Sequence, residues 1–151
     1  MHCKRGTTDF PNSYALLSGR EDARTAVLFV HGFAGNAYST WLDFQGMIDG
    51  REEEEYWKRV DLYFYDYQTT SANILVQADR LRKFLQSSFP RPDIDLFPHP
   101  LVASAVGLNG TLLPLTSGYD SLILVGHSLG GVIIRQAVLE LASVFQGQLK
   151  F

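Results

Sequence analysis

The sequence predicts an α/β fold, a mainly parallel sheet with flanking helices. Three short runs, Val27-Leu28-Phe29-Val30, Leu62-Tyr63-Phe64-Tyr65 and Leu122-Ile123-Leu124-Val125, have the length of strands. The first and third are apolar at every position, as expected where both faces of a parallel sheet are covered. Helical repeats lie between and after these runs. Strands alternating with helices build right-handed βαβ units.

In chain order, residues 13–17 form a weaker strand, expected as an antiparallel edge. Trp41, Phe44 and Ile48 mark a short helix after the first strong strand. Ile74, Ala78, Leu81 and Leu85 follow the second strand at helical spacing and make one apolar face. Ser71 is the expected N-cap of that helix, since its hydroxyl can accept from an unpaired amide of the first turn. Gly130, Ile134, Ala137, Val138, Leu141 and Phe145 line one side of a last helix.

Residues 89–118 break this pattern. They hold five of the six prolines, Pro90, Pro92, Pro98, Pro100 and Pro114. Proline removes a backbone donor, so the stretch reads as an extended insertion with a short turn near residues 101–106. A lid is disfavoured there. The insertion joins a helix to the next strand, whereas ligands of such sheets bind beyond the carboxyl ends of the strands. No internal repeat interrupts residues 1–151, and the length suits one domain.

Composition excludes several classes. Hydrophobic residues make up 46% of the chain, enough for a buried core. A net charge of −3 supplies no attraction to nucleic acid or to an anionic membrane. No apolar run is long enough for a transmembrane segment, and the first ten residues lack a signal-peptide core. The single cysteine, Cys3, permits no internal disulfide and suits a reducing compartment, so a cytoplasmic location is expected. The run Glu52-Glu53-Glu54-Glu55 reads as a solvated segment, because like charges adjacent in sequence face water. There is no Cys/His cluster for zinc and no phosphate-binding GxxxxGK[ST] loop. The Gly-rich stretch fails G-x-G-x-x-G, because Ser128 stands at the second glycine position. Neither a metal nor a cofactor is expected.

The strongest motif is Gly126-His127-Ser128-Leu129-Gly130, followed by Gly131. It matches G-x-S-x-G between a strand and an amphipathic helix, the context of a nucleophile elbow. A serine raised over the sheet on so sharp a turn leaves no room for side chains two residues to either side. Gly126 and Gly130 are therefore required, and Ser128 is the candidate nucleophile. The helix N-terminus beneath it favours negative charge developing nearby. The second motif, His31-Gly32-Phe33-Ala34-Gly35, follows the first strong strand directly. An oxyanion hole needs two amides, one after the nucleophile and one from such a loop. Leu129 and Phe33 are the candidates. Glycine lets the loop approach closely, and Gly32 is placed to do so. His31 reads as a loop-fixing residue rather than a base, since a base must also be oriented by a third group.

These segments resemble the α/β-hydrolase superfamily. His31-Gly32-Phe33-Ala34-Gly35-Asn36, Ser39-Thr40-Trp41 and Phe64-Tyr65-Asp66-Tyr67 are similar to the lipase-like serine esterases, a group that includes relatives of the glycosylphosphatidylinositol inositol-deacylases. The resemblance covers about residues 25–86 and 119–145. It implies hydrolysis of a lipid or other small acyl ester by Ser128, with the Phe33 and Leu129 amides as oxyanion donors. Asp66 matches a strand-end aspartate of structural role.

The chain departs from that group after the elbow. In the superfamily the acid and the histidine follow the nucleophile in chain order. No histidine and no aspartate follow Ser128, and Glu140 is the one acid there. His2 and His99 have no spacing that brings them to Ser128. The expectation is an incomplete α/β-hydrolase fold, inactive alone, with an apolar sheet edge at residues 122–125 open to association. The alternative is a non-catalytic hydrolase-like domain used for interaction.

Overall fold

The computed structural model describes residues 2–5, 10–18, 23–42, 44, 47, 54–70, 73–91, 99–100 and 118–148. Six strands form one sheet: β1 (His2–Arg5), β2 (Tyr14–Leu17), β3 (Thr25–Val30), β4 (Val60–Tyr65), β5 (His99–Pro100) and β6 (Ser121–Gly126). Their order across the sheet is β5-β1-β2-β4-β3-β6. The helices are α1 (Glu55–Lys58), α2 (Ile74–Ser88) and α3 (Leu129–Gln148), with a 3-10 turn at Ser39–Trp41.

The α/β class is observed, but the sheet is mixed rather than mainly parallel. β3 pairs in parallel with β4 and β6. β2 with β4, β1 with β2, and β1 with β5 are antiparallel. The apolar runs marked only the parallel centre. β1, with the sequence His-Cys-Lys-Arg, and the two-residue β5 carry no such signature. β2 is antiparallel as expected, yet it is interior, because β1 covers its outer side.

Alternation along the strands sorts the core into two layers. Ala26, Leu28 and Val30 of β3 and Tyr63 and Tyr65 of β4 face α2 and α3, where they meet Ala78, Leu81, Phe84, Ile133 and Ala137. Phe29, Leu62 and Phe64 face the other way, toward Tyr14, Ala37, Trp41, Phe44 and Trp57. On that second face, Phe64 stacks between Tyr14 at 4.5 Å and Phe29 at 4.8 Å. Such ring pairs add about 0.5–1.5 kcal/mol each beyond the area they bury. On the first face, the Phe84 ring meets Phe10, Tyr63 and Tyr65.

α2 differs from expectation at its start. Asn73, not Ser71, caps it, and the Asn73 side chain accepts from the Leu75 amide at 2.9 Å. Ser71 lies outside the described residues. The buried face comprises Gln77, Ala78, Leu81, Phe84, Leu85 and Ser88, so Ile74 is exposed. In α3 the buried side runs through Gly130, Ile133 and Ala137, while Val138 is exposed. The short helix after β3 appears as the 3-10 turn with helical backbone at Leu42, Phe44 and Met47. Ile48 and the turn near residues 101–106 lie outside the described residues. Glu54 and Glu55 of the acidic run are exposed, as like charges should be. β6 is an outer strand and is not covered on both faces, for Ile123 is 50% exposed. No helix among the described residues is long and apolar enough to cross a membrane.

Candidate active site

β3 and β6 pair in register from Thr25↔Ser121 to Val30↔Gly126, so both strands end at one level. The His127 amide donates to the Val30 carbonyl at 3.0 Å and carries the ladder one residue further. Strand order also reverses at β3. The chain passes from β3 to β4 on one side and later returns to β6 on the other. Reversal of that kind opens a crevice at the carboxyl ends of the strands.

Ser128 stands in this crevice, between the last residue of β6 and the first of α3, and is exposed. Its φ is +51°. A left-handed conformation costs an ordinary residue about 1–2 kcal/mol, so the surrounding structure must impose it. The glycines show how. A Cβ at Gly126 would lie 2.6 Å from both the amide nitrogen and the Cα of Gly131. A Cβ at Gly130 would lie 2.6 Å from the His31 carbonyl oxygen and overlap the Val30 carbonyl. A side chain thus has no room at Gly126 or Gly130. Gly131 does not share the constraint, since nothing lies within 4 Å of the same point there.

The loop after β3 lies against this turn. A Cβ at Gly32 would stand 3.0 Å from the Ser128 Cβ and 2.8 Å from His127 Nδ1. Gly32 is therefore a close approach between two chain segments, and Phe33 follows it directly. Around Ser128 the amides of Gly130 and Gly131 donate to the carbonyls of His127 and Ser128. Ala34 N donates to Thr69 Oγ1 at 3.1 Å, and Gly35 N to the Gly32 carbonyl at 3.1 Å. The amides of Phe33 and Leu129 make no hydrogen bond among the described residues. Two unused donors thus flank one exposed hydroxyl.

His31 braces the loop from beneath. It is fully buried, stacked on Tyr67 with ring centroids 4.3 Å apart. Its Nδ1 is 3.0 Å from the Gly32 carbonyl, to which the Nδ1–H donates. Its Nε2 accepts from the Tyr67 amide at 3.3 Å in the neutral ring, and faces Asp66 Oδ1 at 3.3 Å. Gly32, Tyr67 and Asp66 thus occupy both ring nitrogens. Asp66 anchors the same loop, accepting from the Ala37 amide at 2.8 Å and from Asn12 Nδ2 at 3.2 Å. Burial raises the Asp66 carboxyl, but the His31 ring facing it and the hydrogen bonds from the Ala37 amide and Asn12 outweigh it and leave the group below its ordinary range.

His127 is exposed, and its ring meets Trp41 edge-on at 6.5 Å. Glu140 stands twelve residues beyond Ser128 on α3, about 18 Å along the axis. It pairs with Gln136 at 3.1 Å and reaches Arg82 of α2 at 3.9 Å. His2 and His99 belong to β1 and β5, at the far side of the sheet from β6. No side chain among the described residues hydrogen-bonds the Ser128 hydroxyl. No group of three or more metal-ligating side chains occurs among them.

Sequence reasoning named the turn, the loop, His31 and Asp66 but not the side chains that reach them from other segments. Asn36 accepts from the amides of Tyr38 and Ser39 through its side chain, a local signature that was readable. Thr69, Asn12 and Ser13 act from distant positions and leave no local trace. Comparison with protein-family profiles, curated proteins and solved structures finds no match.

Proposed function

We propose that the protein is a serine hydrolase of acyl esters, built on an α/β-hydrolase fold, with Ser128 as its nucleophile. The observation that carries this reading is the left-handed Ser128 on a strand–turn–helix, held there by close contacts at Gly126 and Gly130. The unused Phe33 and Leu129 amides support it as oxyanion donors. Ser128 Oγ attacks the ester carbonyl carbon, the carbonyl oxygen becomes the oxyanion, and the alcohol leaves with a proton. Water then releases the acid from the acyl-serine. The N-terminus of α3 favours the negative charge formed beside it.

The attack also needs a base to take the Ser128 proton. No side chain among the described residues hydrogen-bonds the Ser128 hydroxyl, and a second reading follows from that, a hydrolase-like domain that binds without turnover. A fluorophosphonate probe distinguishes the two. On the first reading it forms an adduct that peptide mass spectrometry places on Ser128, and Ser128→Ala abolishes it. Labelling that survives Ser128→Ala removes Ser128 from the role, and a folded protein that resists labelling favours the binding domain. Ester turnover by the 151-residue chain is expected on the order of 10⁴- to 10⁶-fold below a complete triad. Turnover well above that level would assign the base to His31 or His127.

A further inference from the structure

β6 ends the sheet among the described residues, and its ladder tells which of its backbone groups stay free. The Ser121 amide donates to the Arg24 carbonyl at 3.1 Å, and the His127 amide to the Val30 carbonyl at 3.0 Å. Backbone groups alternate in direction along a strand, so residues 121, 123, 125 and 127 turn theirs to β3. Those of Leu122 and Leu124 point outward, where no strand pairs with β6 among the described residues. Side chains alternate as well. Leu122 and Leu124 pack into the core layer of Ile133 and Ala137, under α3, whereas Ile123 lies on the other face and is half exposed.

This edge is complementary to itself. Two strands related by a twofold axis must be equivalent, which the slanted bonds of a parallel pair do not allow and an antiparallel pair does. The axis then stands perpendicular to the sheet and keeps every side chain on its own face. Facing residues must therefore be both odd or both even. An axis at Ile123 meets this condition. Leu122 and Leu124 of one copy exchange their free amides and carbonyls with Leu124 and Leu122 of the other, and Ile123 faces Ile123. Residues 121–125 all oppose strand residues in this register. An axis at Leu122 would set Asp120 against Leu124, and one at Leu124 would set Ser121 against His127, beyond the end of the strand.

The helix layer fits the same axis. α2 covers β4, since Phe84 meets Tyr63 and Tyr65. The flank of α3 away from α2 therefore lies toward the outer side of β6. Glu140 marks the α2 flank, because it reaches Arg82. Val138 and Ala142, at helical spacing, stand on the other flank and are exposed. Arg135 is the one other charged residue of α3, and it points away from the sheet, about 160° around the helix from the buried Ala137. No like charges would meet between the two helices. With α3 lying over β3 and β6, the axis sets the two α3 helices about 10 Å apart, twice the strand spacing, and helices pack at about 8–10 Å.

We infer that two copies of this chain join their β6 strands antiparallel about a twofold axis at Ile123, giving one continuous sheet with the two α3 helices side by side. The pairing goes beyond the hydrolase reading, since it requires no chemistry at Ser128. Size exclusion with light scattering should show the 151-residue chain as a dimer that becomes a monomer on dilution. Ile123 and its copy form a non-hydrogen-bonded pair, with Cα atoms about 4.5 Å apart, inside the disulfide range of about 4.4–6.8 Å. Under a mild oxidant Ile123→Cys should therefore close a covalent dimer. Val132→Cys, as exposed as Ile123 but off the facing flank of α3, should not. The parent sets the background, because its one cysteine, Cys3, lies in β1 four strands away. Circular dichroism checks that both variants stay folded. Hydrogen exchange on the parent gives a second reading that needs no substitution. The Leu122 and Leu124 amides should be slow in the dimer and fast after dilution, while the Ile123 amide, held by β3, should not change. The inference is overturned by a monomer at all concentrations, by oligomers larger than a dimer, or by equal crosslinking of Val132→Cys. Crosslinking of Leu124→Cys in place of Ile123→Cys would overturn the register. Protection of Leu122 and Leu124 that ignores concentration would overturn the dimer, because another segment of the same chain would then cover the edge.

Discussion

At residue 130 a methyl group would be driven into the carbonyls of Val30 and His31, and at residue 131 it would meet open space. Two adjacent glycines at one helix start should therefore respond in opposite directions. Gly130→Ala is expected to lower stability by about 1–3 kcal/mol through overpacking. Gly131→Ala should raise it by up to about 1 kcal/mol, because alanine loses less backbone entropy on folding. Urea midpoints of the two variants check this, and equal losses would contradict the tight seat at residue 130. Asp66 is the second informative residue. Its folded carboxyl lies below the unfolded value of about 3.9, so its contribution is complete above that pH and is lost as pH falls through the folded value. Asp66→Asn should cost about 1–3 kcal/mol at neutral pH, and the gap from the parent should close below about pH 4. A gap unchanged at about pH 3 would mean that shape, not charge, is what Asp66 supplies. At the other end of the sheet, Tyr119 donates to the buried Asp61 at 2.7 Å, where burial holds that carboxyl above its ordinary range. Asp61 titrates with the opposite sign, so the Asp66 contribution must be read from the difference between parent and variant.

Among the elements, β6 carries both the candidate chemistry and the main liability. Its last residue leads into the Ser128 turn, and its inner side is held by six residues in register with β3. Ile123 of this strand is half exposed, and Val132 and Leu139 are exposed on α3. An apolar edge without lysine or proline is a template for another strand. The purified chain should associate in a concentration-dependent way, visible by size-exclusion chromatography with light scattering. Ile123→Lys should shift it toward the monomer, since a charged side chain at an edge opposes pairing. A sharp monomer for the parent at all concentrations would show that this edge does not pair. α2 presents a contrasting case, because its exposed first turn is capped by Asn73 and offers no open backbone.

At the scale of the whole molecule, the reversal of strand order at β3 places the loop of residue 32 beside the turn of residue 128. The site is a product of topology joined to two local turns. β3, β4, β6, α2 and α3 were legible because their signals are local. Runs of apolar residues and repeats at helical spacing report burial without knowledge of the partner. The turn was legible from the spacing of Gly126, Ser128 and Gly130 between a strand and a helix, although the atoms that crowd Gly130 belong to Val30 and His31 of a distant segment. The cap of α2 was misread because Ser and Asn are both competent N-cap residues, and Asn73 is the one whose side chain accepts from the first turn. The mixed character of the sheet was not legible, since β1 and β5 have no pattern of their own and exist through pairing. The support of the loop by Asn12 and Thr69 was equally hidden. Sequence by itself determined the central parallel strands, the helices against them, and the two glycine-bearing turns, because short-range sterics and periodic burial are written in consecutive residues. Only the tertiary structure decided, among the described residues, which amides stay unused beside Ser128, which strand edge stays open, and which apolar side chains stay exposed. Those properties are set by contacts between segments tens of residues apart, and no local pattern records them.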